Sequence, residues 1–171
     1  MKNKSITKLA LCAALSLFGS TAMAAEKDTL NDADVNFVKH AAASGMAEVK
    51  LAGLGVQKAV NTDVKTFAKM LVTDHSQANT ELKSLATTKG VELSAVIDPK
   101  HATTFQTLEK YSGPEFDKQF LADIISDHKT CVSNFEEASK NAKDGDVKAF
   151  ADKMIPTLKA HQAKAEELSS K

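Results

Sequence analysis

Three of the five histidines in this chain fall where a helical repeat calls for an apolar side chain. His75 belongs to the series Val64, Phe67, Leu71, His75, Ala78, Leu82 and Leu85. His128 follows Leu121 and Ile124 and precedes Cys131, Phe135 and Ala138. His161 follows Val147, Phe150, Met154 and Leu158 and precedes Ala165 and Leu168. Residues three and four apart share a helix face, so each imidazole points into a core from a different helix. Carboxylates accompany them. Asp74 precedes His75, Asp127 precedes His128, Asp123 lies five residues before His128, and Glu48 flanks a small-sided seam between Gly45 and Ala52. Imidazoles and carboxylates that converge between facing helices are how bundles hold metal ions. On that reading the donors are His75, His128, His161, Glu48, Asp74 and Asp127. The same groups also satisfy one another as a buried hydrogen-bond network that fixes helix register, and both readings stand at this level.

Spacing narrows the metal chemistry. A di-iron centre takes Glu-x-x-His on two helices, but Val72 and Leu158 stand three residues before His75 and His161. A single ion with mixed nitrogen and oxygen ligands fits better. Cys131, Met70 and Met154 are soft donors that suit copper, although Met and Cys at helical spacing also serve as core fillers. Iron and copper both remain open as the cofactor. His40, between the core positions Val38 and Ala42, is expected at the bundle edge, and His101 is expected in solvent. The chain has no nucleophile motif of Ser, His and Asp or of Cys and His. It has neither a glycine-rich phosphate loop nor a Cys-x-x-Cys-His haem attachment. No catalytic residue is assigned, and an enzyme is not the expectation.

The elements that must position these residues are helices. The spacing predicts helices from about Asp32 to Val60, Thr62 to Lys89, Pro99 to Lys110, Pro114 to Asn141, and a last one beginning after Asp144-Gly145. Gly90 ends the second, and Asp98-Pro99 starts the third as an N-cap with Pro at the first helical position. The first helix is rich in Ala and Gly, which permits close approach by a neighbour. Four long helices with a long central crossover carrying a short helix make an all-α four-helix bundle. Asp63 to Met70 is echoed by Asp146 to Met154, so the chain reads as two related hairpins. Counting at about 1.5 Å per residue from the hairpin turns puts Glu48 and His75 at one height. It leaves His128 and His161 roughly 5 Å apart, with Pro156 as a source of adjustment.

Composition bounds the rest. Lys2, Lys4 and Lys8, the apolar run Leu9 to Phe18 and the small residues of Ala22-Met23-Ala24 read as a signal peptide over 1–24, leaving 25–171 as a single helical domain. The leader takes three Lys and no acid, so 19 Lys face 22 acidic residues and the mature charge is −3. The chain has no Arg and no Trp, which argues against nucleic-acid binding. Cys131 is then alone, so no intramolecular disulfide forms. No sustained alternation supports an outer-membrane barrel, and the leader's apolar run is too short for a transmembrane span.

Together these residues resemble the bacterial domain-of-unknown-function 4142 family. Val64 to Met70 leading to Asp74-His75, Phe116-Asp117 leading to Asp127-His128, and Pro156-Thr157-Leu158 leading to His161 and Ala165 carry the likeness, with Gly45, Glu48, Val49 and Leu51. It spans about Asp32 to Leu168. The resemblance implies an exported, ferritin-like bundle, often labelled an outer-membrane protein, and brings no activity, cofactor or catalytic residue. The expectation is a periplasmic protein, with peripheral attachment to the outer membrane left open. It either binds a metal ion in the bundle core or acts as a non-catalytic envelope stress or interaction protein. In the second case its partner is another envelope protein and its His/Asp network is structural.

Overall fold

The computed structural model describes residues 29–171, so the expected signal peptide over 1–24 lies outside the described residues. Five helices follow in order: α1 Asp32–Lys58, α2 Thr62–Lys89, α3 Pro99–Leu108, α4 Gly113–Asn141 and α5 Gly145–Ser169. Side-chain caps set four of the starts, that of α1 through Asn31, which accepts from the N–H groups of Ala33 and Asp34. Asn61 and Asp144 accept from the second and third backbone N–H groups of α2 and α5, and Asp98 accepts from the N–H of His101 in α3. Each cap satisfies a donor that the helix itself leaves free. Gly90 closes α2 in the left-handed conformation, with φ 69°, which a side chain would strain.

The long helices form a square in which α1 packs on α2 and α4, and α5 packs on α4 and α2. All four of these neighbours run antiparallel. The crossover carries α3 along the α1–α4 edge. The result is a ferritin-like four-helix bundle with its short helix in the crossover. Among the described residues, no helix is long and apolar enough to cross a membrane.

Two apolar clusters fill the interior. One gathers Leu51, Phe67, Leu71, Phe116, Phe120 and Ile124, and the other Val38, Leu82, Phe135, Phe150 and Leu158. The small residues of α1 permit close approach, as expected. A Cβ on Gly55 would lie 2.8 Å from a Phe120 ring atom and 2.9 Å from the Ala68 methyl.

Charged residues tie the hairpins together at both ends. Asp117 of α4 accepts from the N–H groups of Val60 and Asn61 in the α1–α2 turn, at 3.1 and 2.8 Å. Asp34 of α1 accepts from Lys143 and Asp144 in the α4–α5 turn, at 3.1 and 2.8 Å. Lys89 at the end of α2 pairs with Asp144 and Asp146 at the start of α5. These matched contacts fix the relation between the hairpins: 34 corresponds to 117, and 61 to 144. On that spacing His75 matches Leu158, while His161 matches Ala78. The two histidines therefore sit one helical turn out of step in the repeat.

Candidate metal centre

Between the two apolar clusters, α2, α4 and α5 each place one imidazole at the bundle axis. His75, His128 and His161 are 7%, 0% and 2% exposed. One ring nitrogen from each lies within 4.8 Å of the others, and the ring centroids are 5.3 to 5.4 Å apart. The roughly 5 Å height difference counted from the turn does not keep His128 and His161 apart. Helical side chains lean toward their own N-terminus, so in antiparallel helices His128 leans away from the α4–α5 turn and His161 toward it. Their rings therefore meet.

The hydrogen bonds around two of these rings leave lone pairs facing one another. His128 Nδ1–H donates to the Ile124 carbonyl at 3.0 Å, so its Nε2 carries the lone pair. His161 Nε2–H donates to Asp74 Oδ2 at 2.9 Å, which turns Nδ1 inward. These two inward nitrogens are 3.3 Å apart. At that distance the two nitrogens share either a hydrogen, in the other tautomer of His161, or a metal ion. Nitrogens bound to a tetrahedral ion at about 2.0–2.1 Å stand about 3.3 Å from each other. Histidines that ligate metals characteristically give their second N–H to a carboxylate or a backbone carbonyl, as both do here. The third ring adds an open position, because His75 Nε2 is buried with no hydrogen-bond partner.

Electrostatics keep two of the rings neutral. Burial, then the nearby His128 and His161, push His75 down to about 3. Burial and His161 push His128 down to about 4. Neutral imidazole is the form that ligates a metal.

The three carboxylates expected with the histidines separate. Asp74 flanks the core and orients His161, as just described. Glu48 is not at the flank but 1% exposed in the core, because the buried stripe of α1 turns through Glu48, Leu51, Ala52 and Gly55. It stands on the outer side of His128, with Oε1 3.5 Å from Nδ1. Neither of its oxygens has a hydrogen-bond partner. Burial and then the charge of Asp127 raise its carboxyl to about 8. Asp127 points away from the three rings. Its carboxylate faces His101 Nε2 and Lys100 Nζ, each at 3.4 Å. Asp123 likewise lies apart, accepting from Gln119.

Residues 19–168 match the family described as "Domain of unknown function (DUF4142)". The chain belongs to that family. The DUF4142 bundle is similar in fold to a DUF305 fragment from Deinococcus radiodurans. That match has 17% identity and a TM-score of 0.75, and covers 83% of this chain and 98% of that one. It is also similar to CopM in its Cu(II)-bound form, at 17% identity and a TM-score of 0.69 over 80% and 95% of the chains. A DUF305 protein from Streptomyces coelicolor matches at 14% identity and a TM-score of 0.68 over 80% and 89%. No curated protein matches the chain.

The structure of this DUF4142 protein corrects one sequence expectation beside the site. His101 is not in solvent but 9% exposed, because α3 is laid over the α1–α4 edge. Its Nδ1 meets Asp98 at 2.6 Å and its Nε2 faces Asp127. Hydrogen bonds that the ring donates to Asp127 and Asp98 outweigh burial and raise the imidazole to about 9. The sequence signal was the N-cap itself, since a His three residues after a capping Asp shares its carboxylate. His40 is exposed at the edge, as expected, and Met70 is also outside, 40% exposed. Cys131 is half-buried against the Ser44 hydroxyl at 3.2 Å, and burial raises its thiol to about 11.

Proposed function

We propose that this chain is an exported copper-binding bundle in which His75, His128 and His161 hold one ion. The observation that carries the reading is the pair of lone-pair nitrogens, His128 Nε2 and His161 Nδ1, 3.3 Å apart with their outer N–H groups already committed. His75, on the facing hairpin, brings a third ring nitrogen within 4.8 Å of these two. Asp74 and Ile124 hold two of the rings in the ligating orientation. Glu48, buried beside His128 and protonated in the metal-free bundle, supplies negative charge against the ion by releasing its proton as the ion binds, while Asp127 helps hold the outer wall through His101. Among divalent first-row ions, a site of imidazoles binds copper most tightly. CopM, which shares the fold, is known in Cu(II)-, Cu(I)- and Ag-bound forms. The leader over 1–24 sends the domain at 25–171 across the inner membrane, and the bundle works in the periplasm.

Elemental analysis of the protein purified from the periplasm, without tag or chelator, tests this directly. Near-stoichiometric copper is expected in the wild type, and none in a variant carrying His75→Ala, His128→Ala and His161→Ala. Copper at a hundred times its Kd is expected to stabilise the wild type by about 2.7 kcal/mol. Zinc in place of copper would keep the site and overturn the metal. The absence of any metal, after copper, zinc and iron are each offered, would overturn the site. That outcome would favour the second reading, an envelope interaction protein in which the chain of contacts from Asp74 through His161 and His128 to Ile124 sets helix register.

A further inference from the structure

Cys131 and Ser44 stand in the wall between two spaces. Outside them is a groove of about 290 Å³ on the α1–α3–α4 side, bordered also by His40, Asp98, His101 and Asp127. Inside is a cavity of about 30 Å³, bordered by Ser44, Asn79, Cys131, Met154 and His75 among apolar neighbours. A space of that size admits a water-sized body. Three helices thus border one small cavity with a residue bearing a thiol, one bearing a thioether and one bearing an imidazole, and the imidazole is that of His75, whose Nε2 is buried and unpartnered. Among the described residues, no carboxylate borders this space. A hard divalent cation would find there only the neutral oxygens of Ser44 and Asn79, without the negative charge it needs. Thiolate, thioether and imidazole are the ligands of soft ions, and one thiolate neutralises one positive charge.

We propose that this inner cavity is a second metal position, taking a soft monovalent ion, Cu(I) or Ag(I), on Cys131 Sγ, Met154 Sδ and His75. Binding breaks the Cys131 S–H bond and forms the sulfur–metal bond. The proton leaves to solvent, and no electron is transferred. Because His75 borders both positions, an ion passing inward from here to the three imidazoles keeps one ligand while it exchanges two sulfurs for two nitrogens. Cys131, facing the groove as well as the cavity, makes the first contact with an ion arriving from outside. The proposal deepens the copper reading, and its sulfur donors are separate from the inner nitrogens.

The test is an anaerobic titration of the untagged, metal-free protein with Cu(I) delivered as a weak chelate. A thiolate-to-copper absorption in the near ultraviolet is the readout, on a background of one Tyr and no Trp. The band is expected within the first two equivalents in the wild type and in a His128→Ala/His161→Ala variant, and is expected to vanish in Cys131→Ser. Met154→Leu, a conservative change, should weaken Cu(I) about tenfold or more while helical circular dichroism is unchanged. Absence of the band in the wild type would overturn the proposal, even if the three histidines bind copper. A band indifferent to both Met154→Leu and His75→Ala would also overturn it, showing a lone thiol at work. A band that persists in a protein whose histidines bind nothing further would uphold this position and remove the inner one.

Discussion

His101 meets Asp127 across the contact between α3 and α4, while His128, the next residue along α4, is turned about 100° away into the core. The neighbouring positions produce opposite chemistry. His101 has a carboxylate on each nitrogen and is held protonated, titrating at about 9. His128 has a backbone carbonyl on one nitrogen and another imidazole on the other, and titrates at about 4. The outer cluster has matched donors and acceptors and needs nothing more. The inner cluster is short of partners: His75 Nε2 and both oxygens of Glu48 have none. A buried polar group left in that state costs about 1–3 kcal/mol. The comparison teaches that a satisfied cluster of His and Asp is architecture, whereas an under-partnered one at the bundle axis is held ready for something else.

Acid should separate the two clusters most strongly. His75 and His128 titrate near 3 and 4 in the folded protein and near 6.5 when free. Below about pH 6.5 the unfolded chain therefore takes up more protons and stability falls. Between pH 6.5 and 4 these two rings withdraw on the order of 5 kcal/mol from the metal-free protein. Glu48, which keeps its proton in the fold up to about 8, offsets about half of that as pH falls toward 4.5, and the remainder is read as a falling urea midpoint. Saturating copper should move that loss to lower pH. A flat acid limb would mean that the inner rings are partnered as well as His101, and the contrast would collapse.

A smaller effect sharpens the inner half of the contrast. Asp74→Asn should weaken metal binding about 10- to 100-fold through loss of the carboxylate that orients His161. Asp74 is partly exposed, so the metal-free urea midpoint should change little. An affinity unchanged by this substitution would deny Asp74 its orienting role.

The smallest effect belongs to the outer cluster and has the opposite sign. His101 is raised on folding, so its contribution is complete below about pH 6.5 and is lost as pH rises through about 9. After allowance for solvent screening it amounts to about 1 kcal/mol. His101→Gln should flatten the alkaline limb of the denaturation profile and leave the acid limb intact. Loss of the acid limb in this variant would show that the two clusters titrate as one.

The bundle was legible because each of its signals is local. Apolar spacing marked the faces, while Gly90, Asp98-Pro99 and Asp144-Gly145 marked ends, so the helix bounds fell within a few residues. The three inner histidines were legible for the same reason, since an imidazole in an apolar stripe is conspicuous and its height can be counted from a turn. What spacing does not encode is what lies across a face. Asp127 and His128 are adjacent in sequence, yet only the path of the crossover decides that Asp127 meets His101. Spacing puts Glu48 at the flank of the seam between Gly45 and Ala52, whereas the buried face of α1 is broad enough to take in Glu48 together with Leu51 and Gly55. Cys131 and Met154 were visible as soft donors, and only the packing of α1 between α2 and α4 shows that both border the space beside His75.

The reciprocal carboxylates at the two turns have a kinetic consequence. Asp117 and Asp34 close loops of 56 and 110 residues when they reach Asn61 and Asp144, so loop-closure entropy delays these contacts relative to the helices. Neither hairpin can finish its own turn, because each carries the acceptor that the other needs. The backbone amides at 60, 61, 143 and 144 thus report docking of the halves rather than formation of helix, and their protection from solvent exchange should appear together as the last step of assembly.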